Sequence, residues 1–474
     1  MTYRNFLAGV WVAGEQVLDV EDPATGDIVA EAPVAGERTL ALAVDAARAS
    51  VERGDLSAMT PRHRAELMRR IAGEIRKVAV EGAPLLTRES GKRLSDARGE
   101  FDEAADYFDY YGGMADKIEG KQIPLGPDYV DYTILEPVGV SAQIVPWNFP
   151  VSLAARSLAP ALATGNAVIV KSPELDPLSL TVLGRALEAA GVPEGAVSIL
   201  NGIGANLGAK LVASSAIDQI IFTGSVPTGQ AILRAAAENV TPSLMELGGK
   251  SAAVAFDDAD LDALMDSVRS GIFFNAGQVC SAMSRLLVQR KLYDRAVDAC
   301  AALADGLVVG HGLDNADHTP VISARQLTMI MDAVEGAGRA GVRAAAGGGR
   351  LDRPGYFMAP TVFRDVAPDA VIAREEVFGP VLCMTPFDSE EEAIRIANGT
   401  EYGLVAGVFT QDLSRAHRVA SRLRAGQVFV NEWFAGGIST PFGGVGKSGF
   451  GREKGVEALL NYVRTKNIAI KLRT

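Results

Sequence analysis

The chain has 474 residues, 48% of them hydrophobic and 22% charged, which is the composition of an ordinary soluble globular protein with room for about three domains. The formal charge of −12 argues against a nucleic-acid surface or an anionic-membrane surface, because both need clustered Lys and Arg, and it favours a small-molecule substrate. Three widely spaced cysteines, Cys280, Cys300 and Cys383, exclude a disulfide framework and a four-cysteine zinc site, so we expect a reducing cytoplasm.

The sequence offers no metal site and no membrane segment. Its histidines are far apart and none has the spacing of a ligand set: His63, His311, His318 and His417. The N-terminal sequence MTYRNFLAGVWVAGEQ lacks the regions of a signal peptide, and no later stretch has the run of about 18 apolar residues that a spanning helix needs. We therefore predict a cytoplasmic protein without metal, nucleic-acid or membrane partners.

The N-terminal third is predicted to be a helical packing layer followed by a detached strand. The first 115 residues are expected to be mostly helical, with apolar positions near a 3.6-residue period in residues 61–92. Residues 119–137 and 463–474 both alternate in strand fashion outside the main pattern. Detached strands of this kind often extend to another subunit.

Two series of alternating strands and helices make up the rest of the chain. From Val138, short β-branched runs alternate with amphipathic windows, ending with the strand DQIIFTG and the helix GQAILRAAAEN. After Gly249 the strand SAAVAF, the helix ALMDSVRSGIFF, the strand SRLLVQRKLY and the helix DRAVDACAALADGL follow. This pattern predicts an α/β fold with parallel sheets, the first of the type that binds nucleotides.

Cys280 is the one cysteine predicted to face a cleft. In FFNAGQVCSAMSR, small neighbours and Gly277 leave the sulfur accessible near a predicted helix-to-strand junction. Cys300 lies in a helical window and Cys383 in the strand VLCM, so both are interpreted as core residues. No histidine is near Cys280 in sequence, which argues against a Cys-His protease. From this segment alone, a buried structural cysteine is an equally good interpretation of Cys280.

Glu246 and Asn148 are candidates for a base and an oxyanion donor. Glu246 is a lone acid in the apolar run SLMELGGKS, and burial raises the pKa of a carboxyl towards the range useful for a general base. A salt-bridged glutamate at a strand end is the alternative. Asn148, in IVPWNFP, follows a predicted strand where ligands of open α/β sheets bind, and its amide could serve an oxyanion together with the backbone N–H of Cys280. A turn asparagine is the other interpretation.

The segment FTGSVPTG, residues 222–229, is a candidate phosphate loop between a strand and a helix. Gly224 permits close backbone approach, and Ser225 at the helix N-terminus can receive a phosphate, although turn glycines explain most such matches. Lys171 and Glu174 are three residues apart at the end of NAVIVK, where a carboxylate could accept both hydroxyls of an adenosine ribose. A surface ion pair explains them equally well.

Taken together, these segments resemble the aldehyde dehydrogenase superfamily over essentially the whole chain. The matching motifs are PWNFP at 146, a Lys-x-x-Glu at 171, FTGS at 222, ELGGK at 246, GQVC at 277, EEVFGPV at 375 and PFGGVGKSGFGRE at 441. The resemblance implies a Rossmann-type NAD domain, an α/β catalytic domain, a small β oligomerisation element, and a homodimer or homotetramer. The implied bounds are 1–118 with 138–248 for the NAD domain, 249–462 for the catalytic domain, and 119–137 with 463–474 for the oligomerisation element.

The resemblance also implies residue roles. Cys280 is the nucleophile, Glu246 the base for hydrolytic water, and Asn148 with the Cys280 amide the oxyanion hole. The implied cofactor residues are Lys171 and Glu174 at the adenosine ribose, Gly224 and Ser225 at the pyrophosphate, Glu376 at the nicotinamide ribose, Phe378 at the nicotinamide, and Trp147. The cofactor is NAD, with NADP as the alternative, and an aldehyde is oxidised to a carboxylic acid through a thiohemiacetal and a thioester.

The substrate is predicted from the implied tunnel wall. Its residues are mostly apolar or aromatic: Phe149, Leu153, Arg156, Phe274, Trp433 and Phe442. They favour a hydrophobic or aromatic aldehyde. Semialdehyde-oxidising relatives also carry an arginine at the position of Arg156, but their second arginine, six residues before the nucleophile, is replaced by Phe274 here. A carboxylate clamp is therefore incomplete.

The chain departs from the family pattern at two places. The family commonly has K-P-x-E where this chain has Lys171-Ser172-Pro173-Glu174, and Arg156-Ser157 lacks the lysine that some members use in a proton relay.

A CoA-acylating enzyme is the nearest rival function, but such enzymes typically lack the glutamate found here at position 246. A non-catalytic relative would be expected to have lost Cys280 or Glu246, and ester hydrolysis without NAD is a conceivable side activity.

Overall fold

The computed structural model describes residues 3–473, and its strands and helices are numbered here in chain order. The strands are β1 (Asn5–Leu7), β2 (Val10–Val12), β3 (Gln16–Glu21), β4 (Ile28–Val34), β5 (Gln122–Ile123), β6 (Tyr129–Pro137), β7 (Val140–Ile144), β8 (Ala167–Lys171), β9 (Val197–Leu200), β10 (Gln219–Thr223), β11 (Ser243–Glu246), β12 (Ala252–Ala255), β13 (Arg285–Gln289), β14 (Arg343–Ala346), β15 (Thr361–Arg364), β16 (Val381–Phe387), β17 (Val405–Phe409), β18 (Gln427–Val430), β19 (Gly449–Phe450) and β20 (Val463–Lys471). The helices are α1 (Glu37–Arg53), α2 (Pro61–Ser90), α3 (Leu94–Met114), α4 (Pro150–Thr164), α5 (Leu178–Ala189), α6 (Ala209–Ala213), α7 (Val226–Asn239), α8 (Leu261–Val268), α9 (Arg290–Gly306), α10 (Ala324–Arg339), α11 (Val371–Arg374), α12 (Glu390–Ala397), α13 (Leu413–Ala420) and α14 (Glu457–Asn461).

The first sheet has eight strands in the order β19-β11-β10-β7-β8-β9-β1-β2. Strands β7 to β11 run parallel, so their carboxyl ends lie along one edge. All five residues of β8 are buried, as expected for a parallel strand covered on both faces by helices. The sheet thus places the ends of β7, β10 and β11 side by side, and the α/β class predicted from the sequence is confirmed.

The prediction that the first 115 residues are mostly helical is wrong for residues 5–34. Strands β1 to β4 lie there, and helix α1 begins only at Glu37. Strand β1 joins the first sheet by pairing Phe6 with Ile199, while β3 and β4 form a separate antiparallel pair. The pairing of β1 with β9 joins segments that are remote in sequence. Strands β1 and β2 have three residues each, which is too short a pattern to predict a strand ahead of the long helices that follow.

The second sheet has seven strands in the order β14-β15-β16-β13-β12-β17-β18, parallel except for β14. The predicted strand SRLLVQRKLY is shorter than expected, because α9 begins at Arg290 directly after β13. The positions Leu292, Ala296 and Cys300 of α9 are buried at helical spacing, which shows why the RKLY segment belongs to the helix.

The third sheet joins the two segments predicted as detached strands. Strand β20 pairs antiparallel with β6 from Val463 opposite Pro137 to Lys471 opposite Tyr129, and β5 lies on the other side of β6. Thr474 lies outside the described residues. Strand β19 pairs with β11 at the edge of the first sheet. The range 249–462 predicted for the catalytic domain therefore contains one strand of the first sheet. The domain bounds stay a prediction.

In the described part of the chain, no helix is long and apolar enough to cross a membrane. Between residues 3 and 473, no group of three or more His, Cys, Asp or Glu side chains converges as a metal site. All three thiols are free, and Cys300 and Cys383 are buried as predicted.

Candidate active site

Cys280 follows a tight left-handed turn that lies within the short segment Phe274–Gly277 and precedes β13. Asn275, Ala276 and Gly277 all have positive φ, at 48°, 51° and 72°. A Cβ at Gly277 would collide with the carbonyl of Gly379, so this close approach requires glycine. Such consecutive left-handed residues persist only when their surroundings hold them, and here they aim the Cys280 thiol between two cavities.

The thiol of Cys280 has a pKa above its ordinary value. Burial raises its pKa to about 11; the guanidinium of Arg156 lowers the pKa, and the carboxyl groups of Glu246 and Glu376 raise it. Attack on a carbonyl by this sulfur therefore needs a base that takes the proton.

Glu246 is the last residue of β11 and its carboxyl is buried. Within the described residues neither of its oxygens has a hydrogen-bond partner, so it is not the salt-bridged glutamate considered as the alternative. Burial raises the pKa of Glu246 well above its usual value, and the neighbouring Glu453 raises it further against the opposing charges of Arg156 and Arg452. A buried carboxyl without hydrogen-bond partners near the half-buried Cys280 thiol can act as a proton acceptor.

Asn148 lies in the loop between β7 and α4 and is buried. Its Nδ2 donates to the backbone carbonyl of Gln278 at 3.1 Å, which ties it to the turn that carries Cys280. An amide nitrogen has two hydrogens, so one remains for another acceptor. Asn148 and Cys280 both border both cavities.

The first cavity has a volume of about 770 Å³ and opens along the carboxyl edge of the first sheet. Five of the predicted cofactor residues line it: Trp147, Gly224, Ser225, Glu376 and Phe378. Glu246 lines it as well. The cavity has the size of an ordinary ligand site.

The walls of this cavity are held by specific contacts. Phe378 has a positive φ of 54°, its ring lies edge-on to Trp147 at 5.2 Å, and its carbonyl accepts from Gln326 Nε2 at 2.9 Å. The Oε1 of Glu376 accepts from the backbone N–H of Gly249 at 2.9 Å, and burial raises the pKa of Glu376 to about 7.

A dinucleotide fits the residues at this edge. A Cβ on Gly224 would lie 2.6 Å from the ring of Phe222, so the backbone is bare at the N-terminus of α7, where Ser225 caps the helix through the N–H of Thr228. A bare helix N-terminus receives phosphate groups, and a flat aromatic wall and a carboxylate suit the nicotinamide end.

Lys171 and Glu174 lie at the end of β8, outside the walls of this cavity and two strands away from Thr223. Their Nζ and Oε2 atoms are 3.7 Å apart, and the same Oε2 accepts from the N–H of Gly204 at 2.7 Å. The ion pair that the sequence left open is therefore present, and Glu174 stays largely exposed at the sheet edge. Its role at an adenosine ribose stays a prediction.

The second cavity has a volume of about 920 Å³ and reaches Cys280 from the opposite side. Five of the predicted tunnel residues line it: Phe149, Leu153, Arg156, Phe274 and Phe442. Wall residues that the sequence reasoning missed are Tyr107, Phe434 and Lys454. The rings of Phe149 and Phe274 are stacked at 5.8 Å, so the part near Cys280 is aromatic.

Trp433 does not line this cavity, contrary to the prediction. Its indole N–H donates to the carbonyl of Ser281 at 3.1 Å, and its ring packs at 5.4 Å against Phe429 in the core of the second sheet. The next residue, Phe434, has a positive φ of 65° and faces the cavity instead. A motif match gives the position of an aromatic residue but not which of two neighbours faces inward.

Arg156 is buried and paired with Glu453. Glu453 Oε1 also accepts from Ser157 Oγ at 3.0 Å. Burial by itself lowers the pKa of Arg156, but Glu453, together with the neighbouring Tyr107, Glu246 and Cys280, raises that pKa above its usual value. The guanidinium thus already has a carboxylate of the protein itself, a contact between distant segments for which the sequence gives no local signal.

The chain is similar to aldehyde dehydrogenases along its whole length. The sequence model of the aldehyde dehydrogenase family matches residues 11–468 of this chain. The betaine aldehyde dehydrogenase of Bacillus subtilis (strain 168) is 37% identical over 477 residues, 99% of this chain and 97% of that protein. The NAD+ complex of an aldehyde dehydrogenase from Bacillus cereus has a TM-score of 0.98 at 38% identity, covering 100% of this chain and 97% of that chain. An indole-3-acetaldehyde dehydrogenase in complex with NAD+ has a TM-score of 0.97 at 36% identity, with 100% and 97% covered.

Proposed function

Because the chain belongs to the aldehyde dehydrogenase family, we propose that it oxidises a hydrophobic or aromatic aldehyde to the carboxylic acid through a thioester on Cys280. The observation that carries the proposal is the position of Cys280, whose thiol borders both cavities beside Asn148 and Glu246. The cofactor is NAD, the ligand of the Bacillus cereus relative. It occupies the first cavity, and the aldehyde enters through the second.

In the first step, the Cys280 sulfur forms a bond to the aldehyde carbon, and the π electrons of the carbonyl move to its oxygen. The thiol proton passes to Glu246. Two carboxyls, Glu246 and Glu376, raise the pKa of the thiol, and within the described residues only Glu376 is engaged in a hydrogen bond, which leaves Glu246 as the acceptor. The free amide hydrogen of Asn148 and the backbone N–H of Cys280 stabilise the oxyanion.

In the later steps, bound NAD supplies the acceptor for the hydride that leaves the thiohemiacetal carbon. Glu246, once its proton has left to solvent, takes a proton from water while the water oxygen attacks the thioester. The carbon–sulfur bond then breaks, the carboxylic acid leaves, and the Cys280 thiolate takes the proton from Glu246, which restores the thiol and the carboxylate. Because both additions place negative charge on the same oxygen, Asn148 serves twice. The presence of Glu246 favours water over CoA as the acyl acceptor.

The pairing of Arg156 supports a hydrophobic or aromatic aldehyde. The charge of the Arg156 guanidinium is already matched by the buried carboxylate of Glu453, so a substrate carboxylate would meet an ion pair without net charge. The stacked rings of Phe149 and Phe274 offer an aromatic slot next to the sulfur. The indole-3-acetaldehyde dehydrogenase shows by its name that an aromatic aldehyde is a substrate within the family.

We expect kcat/KM with NAD to be about tenfold or more higher for benzaldehyde and hexanal than for succinic semialdehyde, the scale of one lost charged contact. The panel includes betaine aldehyde, the substrate in the name of the Bacillus subtilis relative. Arg156→Leu should leave this order unchanged. A strong preference for succinic semialdehyde that disappears in Arg156→Leu would show that one arginine holds a distal carboxylate and would overturn the proposal.

We also expect NAD to be preferred over NADP by about tenfold in kcat/KM, because the Glu174 carboxylate at the sheet edge would repel a ribose 2′-phosphate. Glu174→Gln keeps the size of the side chain and removes its charge and one acceptor oxygen, so it should narrow the preference for NAD by improving kcat/KM with NADP and lowering kcat/KM with NAD. The test is initial-rate kinetics at 340 nm with both cofactors. Equal kcat/KM for NAD and NADP in the unmodified enzyme would contradict the assignment of Glu174.

The third sheet offers an edge for assembly. We propose a homodimer or homotetramer built through the third sheet, because β20 is an edge strand there and apolar side chains are exposed on this sheet, Ile470 on β20 and Tyr129 and Val130 on β6. A cytoplasmic location stays a prediction from the composition. The domain bounds 1–118 with 138–248, and 249–462, are likewise part of the proposal.

A further inference from the structure

A buried ion pair lies behind the loop that carries Asn148. Lys92 is in the connection between α2 and α3, and Glu100 is in α3. The Nζ of Lys92 and Oε2 of Glu100 are 2.5 Å apart, and their side chains are only 1% and 2% exposed. Neither residue belongs to the motifs that carry the family resemblance.

Both members of this pair bind the same short stretch of backbone. Lys92 Nζ donates to the carbonyl oxygen of Asn148 at 2.9 Å. Glu100 Oε1 accepts from the N–H groups of Val151 at 2.8 Å and Ser152 at 3.2 Å, in the first turn of α4. The pair therefore holds the loop on both sides of the step from Asn148 into the helix.

The same carbonyl is also held from the side of the nucleophile. Asn275 Nδ2 donates to the Asn148 oxygen at 3.1 Å, and Asn275 is the first residue of the left-handed turn before Cys280. Charge-assisted hydrogen bonds are the stronger and shorter ones. With its backbone held by Lys92 and its Nδ2 bonded to the carbonyl of Gln278, the Asn148 side chain keeps one direction. An isolated buried pair brings little net stability, so stability alone does not account for it.

We propose that Lys92 and Glu100 are positioning residues for the oxyanion hole, fixing the Asn148 backbone so that its amide points at the carbonyl oxygen of the substrate. This inference rests on the proposed thioester mechanism. Neither side chain touches the reacting atoms: Lys92 acts through the Asn148 carbonyl, and Glu100 through Lys92 and the N-terminus of α4. A misplacement of about 1 Å is enough to cost about 10²-fold in rate.

The test is a double-mutant cycle on the rate of the first NADH burst. Asn148→Ala should lower that rate by about 10²–10³-fold. Lys92→Met should lower it by about 10²-fold, with KM for NAD unchanged. In the Asn148→Ala background, Lys92→Met should cost less than about twofold more, because the group that it positions is already gone.

Two further measurements separate positioning from damage to the fold. Alkylation of Cys280 by iodoacetamide passes through no oxyanion, so its rate should be the same in Lys92→Met and the unmodified protein. Arg64→Met is the matched control, because Arg64 donates to the carbonyl of Ala163 at the other end of α4. It should lower the melting temperature without changing the burst rate.

Additive losses in the Asn148→Ala background, or an unchanged burst in Lys92→Met, would overturn the inference. If Lys92→Met does not fold, Glu100→Gln carries the same cycle, since it removes the charge and keeps the side-chain shape. Failure of the unmodified enzyme to form NADH with any aldehyde of the panel, or a normal rate of first NADH formation in Asn148→Ala, would instead refute the proposed function, so the two failures are distinguishable.

Discussion

Replacing Cys280 by alanine should lower aldehyde oxidation by about 10⁴-fold or more, the scale seen when a covalent nucleophile is removed. The physical reason is that the thiol of Cys280 borders both cavities, while Cys300 in α9 and Cys383 in β16 are buried. NAD should still bind, because the thiol forms only a small part of the cofactor cavity. NADH production at 340 nm and NAD binding by calorimetry check the two halves of this expectation.

The matched controls are the two buried cysteines. Cys300→Ala and Cys383→Ala should keep most of the activity and lose about 1 kcal/mol of stability each, because a small buried group is removed from a packed core. Turnover at the normal rate in Cys280→Ala would refute the thioester mechanism. Loss of activity in Cys300→Ala at an unchanged melting temperature would point to a second functional thiol.

Glu246→Gln should form NADH once per active site and then stop. Hydride transfer precedes hydrolysis, so the variant can reach the thioester, but it lacks the group that takes a proton from water. Steady-state turnover should fall by about 10²–10⁴-fold, the usual contribution of a general base. The burst amplitude is the diagnostic quantity, because losing Glu246 also slows removal of the thiol proton and so lowers the burst rate.

Stopped-flow NADH fluorescence with a saturating aldehyde measures this amplitude. Glutamine has the shape of glutamate and the site is buried, so the change tests the proton acceptor rather than the packing. Normal steady-state turnover would require another base for the water. A complete absence of the burst would show that Glu246 is indispensable before hydride transfer.

Much of the fold and the site could be predicted because their determinants are local. Cys280, Glu246 and Asn148 each lie in a short segment of distinctive composition at the end of a strand or turn, and parallel strands place such ends together. The helices α2 and α7 begin with a side-chain cap from Thr60 and Ser225, a signal readable within a few residues.

The remaining features depend on contacts between distant segments. Arg156 meets Glu453, and Lys92 meets the carbonyl of Asn148, across separations that no periodicity records. The choice of Phe434 over Trp433 at the cavity wall depends on one positive φ angle. Strand β1 was missed because its partner β9 follows far along the chain.

The central claim is that the acyl group is carried on Cys280, and mass spectrometry of Glu246→Gln tests it most directly. After incubation with benzaldehyde and NAD, the peptide containing Cys280 should gain the mass of a benzoyl group in about one copy per subunit. The gain should require NAD and should be removed by hydroxylamine, which cleaves thioesters. NADH formation in this variant with no acyl group on Cys280, or with the acyl group on Cys300 or Cys383, would contradict the account.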